Sequence, residues 1–592
     1  MNAVLETPTL ESPDTGLLLD TSAVKSLFLG HMVQQNLFPY PKIREEERET
    51  LEMVLDSFDR FLAERKDSFA KWDDAAAQPE EFLQGLRDMG LFGLIIPEEY
   101  EGLGLSNAAY SRVLSQSSRH DSSSSLTIGA HSSIGMKGLL LFGTDEQKAQ
   151  YLPRLASGEM IAAFCLTEAG AGSDAAALKT RAVRNDDGTW TLNGEKIWVT
   201  NGGLADFFTV FARTEGEAGK LSAFIVEKSW PGVAVGPTEH KMGIRASSTT
   251  TVSFADVILP AGALLGPEGK GFKVAMEVLN NGRTGLGGGA VGGMKACIEL
   301  SSQYAKQRKA FGQNLSDFGL IKKKIARMTV DCFAAESVVW MVAHYIDSGH
   351  TDYSTEAAIS KVFASEAMLR TANEAMQIAA GNGYMKEYPY ERIVRDSRIL
   401  TIFEGTSEIL RLFIALSGMK DVGDSLKDMK AGVQGIFNNP IKGFGVLTDY
   451  TGRRLTQITS LGRDRIVANV PDSLQDEALV YEKYTLELAR LTDVLLRRHG
   501  KHIIGKQLSM QRVADVAIDL FVGISVLSRV ASMQADGSEK YEFAVTIAKL
   551  FTQDAKRRMN QNLRRLLKNE DEGTTSLCDY IVNEEAYPWD II

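Results

Sequence analysis

Apolar residues recur at three- and four-residue spacings in the first quarter of the chain. Within REEERETLEMVLDSFDRFLAER they stand at Leu51, Val54, Leu55, Phe58 and Leu62. This period places them on one face of an amphipathic helix. The pattern predicts a helical domain over residues 45–160, preceded by an N-terminal extension over residues 1–44.

The pattern changes to short apolar runs between turn residues over 161–267. ADFFTVFART, LSAFIVEK and TTTVSFADVIL are typical of strands, and the Asn193–Gly194 pair predicts a hairpin turn. We expect a small antiparallel barrel or sandwich in this region. Long helical segments return over 268–417, and a linker containing Gly, Asn and Pro follows over 418–470. A second helical domain is predicted over 471–592, so the fold class is mainly α with a central β domain.

Composition narrows the function classes. A chain of 592 residues is too long for one core, and 44% hydrophobic with 24% charged residues is typical of a soluble globular protein. A net charge of −11 argues against nucleic acid as a partner. The four cysteines are scattered and the histidines lack ligand spacing, so neither a disulfide framework nor a metal site is expected.

Targeting signals are not expected either. No run of eighteen apolar residues occurs, so no membrane-spanning helix is predicted. The first 22 residues contain acids but no Lys or Arg, unlike a secretory signal or a mitochondrial transit peptide. The expected location is a bacterial cytoplasm.

A carboxylate ends an apolar run in RDSRILTIFEGTSEILRLF. Glu404 follows Ile399–Phe403 and precedes Gly405, after which Thr406 and Ser407 are expected to begin a helix. Glu404 could be a first-turn acid favoured by the helix dipole. It could instead be a base whose pKa is raised by apolar surroundings. The segment alone leaves both interpretations open.

Four further segments carry weaker signals. FCLTEAGAGSDAAALKT is a Gly-containing loop that matches neither GxGxxG nor a P-loop, so neither NAD nor ATP is indicated. KIWVTNGG places Trp198 and Thr200 on one strand face, and QRKAFGQ places Arg308 and Phe311 three apart on a predicted helix. QIAAGNGY contains Gln377. Each has an ordinary reading as a turn, a core position or a surface position.

Together and in this order, the segments resemble the acyl-CoA dehydrogenase family of flavoproteins, over residues 45–415. The resemblance is strongest to its very-long-chain subgroup, through FPYP at 38–41, GAHSSIG at 129–135, NNGR at 280–283 and the extra C-terminal region. It implies an N-terminal helical domain, a middle β-barrel and a C-terminal four-helix bundle, plus an extra C-terminal helical domain. The implied cofactor is FAD.

The resemblance also implies which residues bind that cofactor. The matching positions within one subunit are Phe164, Leu166, Thr167, Gly172, Ser173, Trp198, Thr200, Thr406 and Glu408. Arg308, Phe311, Gln377 and Gly381 match residues that reach the FAD of a neighbouring subunit. The family commonly has Gly where this chain has Ala380, a methyl group that we expect to be tolerated only if the φ of that residue is negative.

Glu404 matches the family's catalytic base. Some members place the base at the position of Gly282, which cannot accept a proton. The implied substrate-binding residues are Ser173, Asn280, Arg283, Phe403, Glu404 and Gly405. Small residues at Ser122–Ser125 and Gly129 suit either a wide acyl tunnel or a polar surface segment.

The resemblance implies FAD-dependent oxidation of long- or very-long-chain acyl-CoA to trans-2-enoyl-CoA in fatty acid β-oxidation, with electrons passed to an electron-transfer flavoprotein. An acyl-CoA oxidase that uses oxygen, or a non-enzymatic assembly factor of the same fold, stays open. Shorter members are tetramers, and an extra domain on the second pairing surface predicts a homodimer.

The linker raises the question of membrane binding. Apolar residues at near-helical spacing lie close to lysines, typical of an interfacial helix peripheral to an anionic membrane such as the inner membrane. The apolar residues are Leu426, Met429, Val433, Ile436 and Phe437. Gly432 and Gly435 weaken such a helix. A flexible linker that packs on its own domain is the alternative.

Overall fold

The computed structural model describes residues 18–214, 220–435 and 465–591, with the backbone alone for 424–435. The chain forms two compact units, one of residues 1–21 and 40–409 and the other of residues 22–39 and 410–592. The first 17 residues of the N-terminal extension lie outside the described residues, as does the part of the predicted interfacial helix that contains Ile436 and Phe437.

Helices fill the chain before the sheet, as the apolar spacing predicts. The helices are α1 (Ala23–Leu29), α2 (Gln34–Leu37), α3 (Glu45–Ala63), α4 (Phe69–Ala75), α5 (Glu80–Asp88), α6 (Asn107–His120), α7 (Ser122–Gly129), α8 (Lys137–Phe142) and α9 (Asp145–Ala156). Leu51, Phe58 and Leu62 of α3 are buried in one core with residues of α5 and α6. A π-helical turn, Ala130–Gly135, separates α7 from α8.

An eight-stranded sheet follows in the order β6-β7-β3-β2-β4-β5-β8, with β1 also paired to β4. The strands are β1 (Ala162–Cys165), β2 (Arg181–Arg184), β3 (Trp190–Thr200), β4 (Phe207–Thr214), β5 (Leu221–Glu227), β6 (Val233–Thr238), β7 (Thr249–Leu259) and β8 (Leu264–Leu265). The predicted antiparallel arrangement is wrong in one respect, because β1 and β2 both pair with β4 in parallel.

The predicted hairpin turn at Asn193–Gly194 is also wrong. Strand β3 runs through both residues, and the pairing of β3 with β7 shifts register between Leu192 and Gly194. A Cβ on Gly194 would lie 2.4 Å from Thr180 Oγ1, so this glycine permits a close approach at a bulge. The actual turn between β2 and β3 contains Gly188, whose φ is +85°.

Long helices return after the sheet. They are α10 (Gly271–Gln307), α11 (Gly319–Asp347), α12 (Ser354–Ala379), α13 (Gly381–Tyr384) and α14 (Tyr390–Arg398), with a short hairpin of β9 (Lys309–Ala310) and β10 (Gln313–Asn314) after α10. A Cβ on Gly288 or Gly292 of α10 would come within 2.4 Å of the Ser111 carbonyl oxygen or 2.0 Å of the Ser115 carbonyl oxygen of α6. The glycine-rich run therefore lets α10 pack directly on the α6 backbone.

The last helix of this series, α15 (Ser407–Gly435), continues into the second unit. That unit also contains α16 (Gln475–His499), α17 (Gln507–Ala535), α18 (Tyr541–Leu567) and α19 (Asp571–Glu584). Helix α17 is long and apolar enough to cross a membrane, but 78% of its most apolar window is buried within the protein. Such burial is typical of the core helix of a soluble unit.

Candidate active site

Glu404 lies at a backbone position that L-residues rarely adopt. Its φ is +54° and that of Gly405 is +95°. The left-handed conformation costs a residue with a side chain about 1–2 kcal/mol. Thr406 follows as the N-cap of α15, where its hydroxyl accepts a hydrogen bond from the backbone N–H of Ile409. Because Glu404 precedes the cap, it is not a first-turn acid of α15.

The Glu404 carboxylate points into the protein. Its Oε2 is buried and has no hydrogen-bond partner among the described residues. A Cβ built on Gly282 would lie 3.6 Å from this oxygen and 2.9 Å from Ile134 Cγ2. Burial raises the pKa of Glu404, while the positive charges of Lys361 and Arg283 act in the opposite direction. Glu404 is therefore a desolvated carboxylate within electrostatic reach of two cations.

The apolar run before Glu404 contributes less to this burial than its sequence indicates. Residues Ile399–Thr401 form a 3-10 turn in which no residue is fully buried, and Ile402 is 45% exposed. Two cations from helices distant in sequence act electrostatically on the carboxylate, Arg283 on α10 and Lys361 on α12.

Arg283 is the second charged group at this position. Its guanidinium is buried, with Nη1 donating a hydrogen bond to Asn280 Oδ1 (2.6 Å). Its Nε has no partner among the residues that the structure describes. Burial lowers the pKa of Arg283 to about 10, against the opposing effect of Glu404. Arginine remains charged at this pKa, so the predicted substrate residues Asn280 and Arg283 present a fixed cation beside Glu404.

The predicted flavin loop is held by a buried ion pair. Lys196 Nζ on β3 donates hydrogen bonds to Glu168 Oε1 (2.8 Å) and to the Leu166 carbonyl oxygen (3.2 Å). Glu168 also accepts hydrogen bonds from the backbone N–H groups of Lys179 and Thr180. Burial raises the pKa of Glu168, but these hydrogen bonds outweigh it and lower the pKa to about 2. The pair joins both ends of the loop to the sheet.

The same strand presents Trp198 to solvent. A second register shift lies between Lys196 and Val199, where Trp198 has a φ of +56°. The bulge turns the indole outward, so that Trp198 is 63% exposed rather than part of the core, and Thr200 is half-buried. The backbone N–H of Ile197 donates to the Thr167 carbonyl oxygen, which ties the flavin loop to this strand.

The loop itself is open. A Cβ on Gly170 or Gly172 would meet no atom within 4 Å, and Ser173 is exposed. Phe164 packs on Phe211 at the start of the loop, with 5.0 Å between ring centroids. An exposed indole beside an uncovered glycine loop fits the flat ring of a flavin, which needs a stacking surface and nearby backbone donors.

The π-helical turn lies between the two parts of the site. The Ser133 carbonyl oxygen would be 3.6 Å from a Cβ on Gly282, which borders the Glu404 carboxylate. Two residues later, a Cβ on Gly135 would lie 2.8 Å from Ala162 of β1, the strand that leads into the flavin loop. Pi-helical turns are frequent at functional sites. This one contacts both the carboxylate pocket and the strand before the flavin loop.

The residues expected to reach a neighbouring subunit form a separate group. Helix α10 ends at Gln307, so the prediction that Arg308 and Phe311 share a helix is wrong. Phe311 and Gly312, with φ of +51° and +82°, form the two-residue turn of the β9–β10 hairpin, and Phe311 is 97% exposed. Gln377 and Gly381 are exposed near the end of α12.

Ala380 contradicts the expectation of a negative φ, because its φ is +52° and its ψ is −128°. Glycine adopts this conformation without cost, whereas an alanine is strained. The side chain of Asn382 donates to the Tyr304 hydroxyl, which holds this turn beside the last turns of α10. Gln377 and Gly381 thereby share one end of the bundle with Arg308.

Two groups at the carboxylate were not anticipated from the sequence. Lys361 lies in AAISKVFA, where a lysine inside an apolar helical stretch was the available signal. Tyr110 of α6 is buried, with its hydroxyl 3.4 Å from the Gly129 carbonyl oxygen. Burial raises its pKa, and Glu404 adds to this effect.

Comparison with known proteins agrees with this arrangement. Four family models match in order: the acyl-CoA dehydrogenase N-terminal domain over 48–159, its middle domain over 163–257, its C-terminal domain over 269–419, and the ACAD9/ACADV C-terminal domain over 472–586. The chain is 42% identical to the human very long-chain specific acyl-CoA dehydrogenase, mitochondrial, over 86% of this chain and 79% of that protein. For the Macaca fascicularis protein of the same name the identity is 41%, over 91% and 83%.

A solved structure supports FAD as the cofactor. The crystal structure of an acyl-CoA dehydrogenase complexed with FAD from Bacillus anthracis superposes with a TM-score of 0.78 at 30% identity, covering 95% of this chain and 96% of that one. The chain therefore belongs to the acyl-CoA dehydrogenase family, and it is an FAD-dependent oxidoreductase. Within the family it is of the very-long-chain type, with the additional C-terminal domain.

Proposed function

We propose that the protein oxidises long- or very-long-chain acyl-CoA to trans-2-enoyl-CoA, with Glu404 as the base. The observation that carries the proposal is the buried, unpartnered Glu404 Oε2, on which the charges of Lys361 and Arg283 act. A carboxylate in water is a weak base for the α-proton of a thioester. Desolvation makes it a stronger one, while the neighbouring cations keep it ionised.

The residues of the site have separate roles in the proposed reaction. Glu404 accepts the α-proton of the substrate. The backbone at Glu404 and Gly405 is in the left-handed conformation. The backbone N–H of Glu404 is suited to donate a hydrogen bond to the thioester oxygen. Trp198 and the loop from Phe164 to Ser173 hold the cofactor, and the helices around Glu404 exclude water. FAD, when bound, supplies the acceptor for the hydride from the β-carbon.

The acyl tail is proposed to pass Gly129. A Cβ on Gly129 would lie at ordinary contact distance, 3.6 Å from Leu114 Cδ1 and 3.9 Å from the Tyr110 hydroxyl. Tyr110 interacts electrostatically with Glu404, which connects this position to the base. Ser124 does not suit the same role, because it is buried and both its backbone N–H and its hydroxyl donate to Asp121 Oδ2.

A chain-length series tests the proposal. Each buried methylene is worth roughly 0.8 kcal/mol, or about fourfold in kcat/KM, so efficiency should rise with acyl length until the channel ends. Gly129→Leu should lower kcat/KM for long acyl-CoA and preserve it for short acyl-CoA. Gly129→Ala, which adds only the tolerated Cβ, is the control. An optimum at butyryl-CoA in the unaltered protein, measured with a dye acceptor, would refute the long channel.

An electron-transfer flavoprotein is the proposed acceptor. The alternative, an oxidase, would reduce oxygen directly. Oxygen consumption by purified enzyme with acyl-CoA and no other acceptor distinguishes them: the proposal expects slow consumption that does not match turnover with the flavoprotein. A purely non-enzymatic assembly role is disfavoured, because Glu404 and the flavin-loop residues are all present.

The assembly is proposed to be a homodimer. The support is the additional C-terminal domain, matched over 472–586, since such a domain would occupy the surface through which shorter members pair as tetramers. Light scattering of the holoenzyme should give twice the chain mass of 64.8 kDa. A mass of four chains would show that the C-terminal domain does not block the second pairing.

A further inference from the structure

Lys361 is a lysine in the middle of a buried helix. It lies in α12, is 0% exposed, and its Nζ donates a hydrogen bond to the Gly405 carbonyl oxygen at 2.7 Å. Within the described chain, this carbonyl is its one hydrogen-bond acceptor, and no carboxylate oxygen lies within ion-pair distance. Burying an ammonium with so little compensation is unfavourable. Packing alone would favour a methionine or leucine here.

The partner of Lys361 is the peptide that follows the base. Glu404 and Gly405 have successive positive φ values, an arrangement that is strained at Glu404. A hydrogen bond to the Gly405 carbonyl fixes the orientation of this turn. It therefore holds both the direction of the Glu404 side chain and that of the Glu404 backbone N–H.

The charge of Lys361 acts on the same residue. Burial alone raises the pKa of Glu404 and so favours its protonated form, which cannot accept a proton. The groups that face Glu404 are Lys361 on α12, Arg283 on α10 and Tyr110 on α6. Lys361 itself is also faced by Arg283, Glu366 and Glu408. Lys361 and Arg283 lower the pKa of Glu404 against the effect of burial, and Lys361 has the larger effect of the two.

We propose that Lys361 is a positioning residue for the reaction, which holds the Glu404–Gly405 turn through the Gly405 carbonyl and keeps the buried base ionised. Burial lowers the pKa of Lys361 to about 8, against the opposing effect of Glu404, so Lys361 is largely charged at neutral pH. The inference rests on the proposed role of Glu404 as the base.

The pH dependence of kcat/KM tests this role. The acidic limb reports the ionisation of the base in the free enzyme. Replacing Lys361 by Met or Gln removes the charge, so the limb should move upward by about one pH unit, with a loss of up to about tenfold at pH values below the limb that disappears at higher pH. Lys361→Arg, which keeps the charge, should leave the limb close to its original position.

Lys137 provides a matched control. It is also a buried lysine, its Nζ donates to Asn107 Oδ1, and burial lowers its pKa to about 8. Lys137→Met should leave the limb unchanged. The inference fails if both neutral Lys361 variants keep the original limb, or if Lys361→Arg moves it as far as they do. It also fails if neither neutral variant folds while Lys137→Met does, since Lys361 would then be a folding residue.

The Glu404→Gln variant separates this inference from the function on which it rests. Full turnover in Glu404→Gln would remove the base assignment itself. An inactive Glu404→Gln together with unshifted Lys361 variants would overturn the role of Lys361 alone.

Discussion

Glu404→Gln should retain FAD and lose turnover by about 10²–10⁴-fold. Glutamine keeps the shape of the side chain but cannot take up the α-proton. FAD retention is expected because the flavin-loop contacts of Lys196 and Glu168 do not involve Glu404.

Glu46→Gln is the control for this variant. Glu46 is an exposed acid in the first turn of α3, and its substitution should leave turnover unchanged. Flavin content, read from absorbance, must accompany each rate so that loss of cofactor is not mistaken for loss of chemistry. Near-normal turnover of Glu404→Gln with full flavin would show that another group takes the proton.

Lys196→Met should destabilise the middle domain and release FAD. Removing one partner of a buried ion pair leaves the other charge uncompensated and costs about 3–5 kcal/mol. Lys196 is 0% exposed, and Glu168 would keep only its hydrogen bonds from Lys179 and Thr180. The temperature at which flavin fluorescence appears on heating measures the effect.

The double variant Lys196→Met with Glu168→Gln should recover part of this loss, because no charge is then buried alone. The coupling energy between the two substitutions separates the contribution of the ion pair to stability from that of side-chain packing. Unchanged flavin release in Lys196→Met alone would show that the pair does not hold the loop.

Low pH should also weaken the Lys196–Glu168 ion pair and release FAD. The pKa of Glu168 is lowered from 4.5 to about 2 in the folded protein. A depressed carboxyl pKa contributes stability that is present above the unfolded pKa and is lost as the pH falls through the folded one. The contribution of Glu168 is therefore complete above about pH 4.5 and lost towards pH 2. Lys196→Met removes the partner that lowers this pKa, so acid release of FAD should begin at a higher pH.

The sequence predicts elements better than it predicts contacts between them. The helical regions follow from apolar spacing such as that of Leu51, Phe58 and Leu62, whose burial is local to one helix face. The strands follow from β-rich runs. The Asn193–Gly194 turn fails because a bulge and a close approach to Thr180 use the same glycine that a hairpin would.

The candidate site shows the same division. Glu404 is recognisable because a short motif surrounds it. The groups that hold the site cannot be recognised in the same way. Lys361 donates a hydrogen bond to Gly405 from 44 residues away, and Lys196 donates one to Glu168 from 28 residues away. Neither pairing has a local signal. The outward turn of Trp198 likewise depends on a register shift against β7, which only the assembled sheet defines.

A single-turnover reaction tests directly whether Glu404 is the base. Holoenzyme mixed with excess long-chain acyl-CoA in the absence of oxygen and of any acceptor should lose its yellow flavin absorbance, without a contribution from product release or from the acceptor. Rapid bleaching is expected in the unaltered protein, and bleaching slower by at least about 10²-fold in Glu404→Gln with equal flavin content. Equal bleaching rates in the two proteins would contradict the assignment of Glu404 as the base.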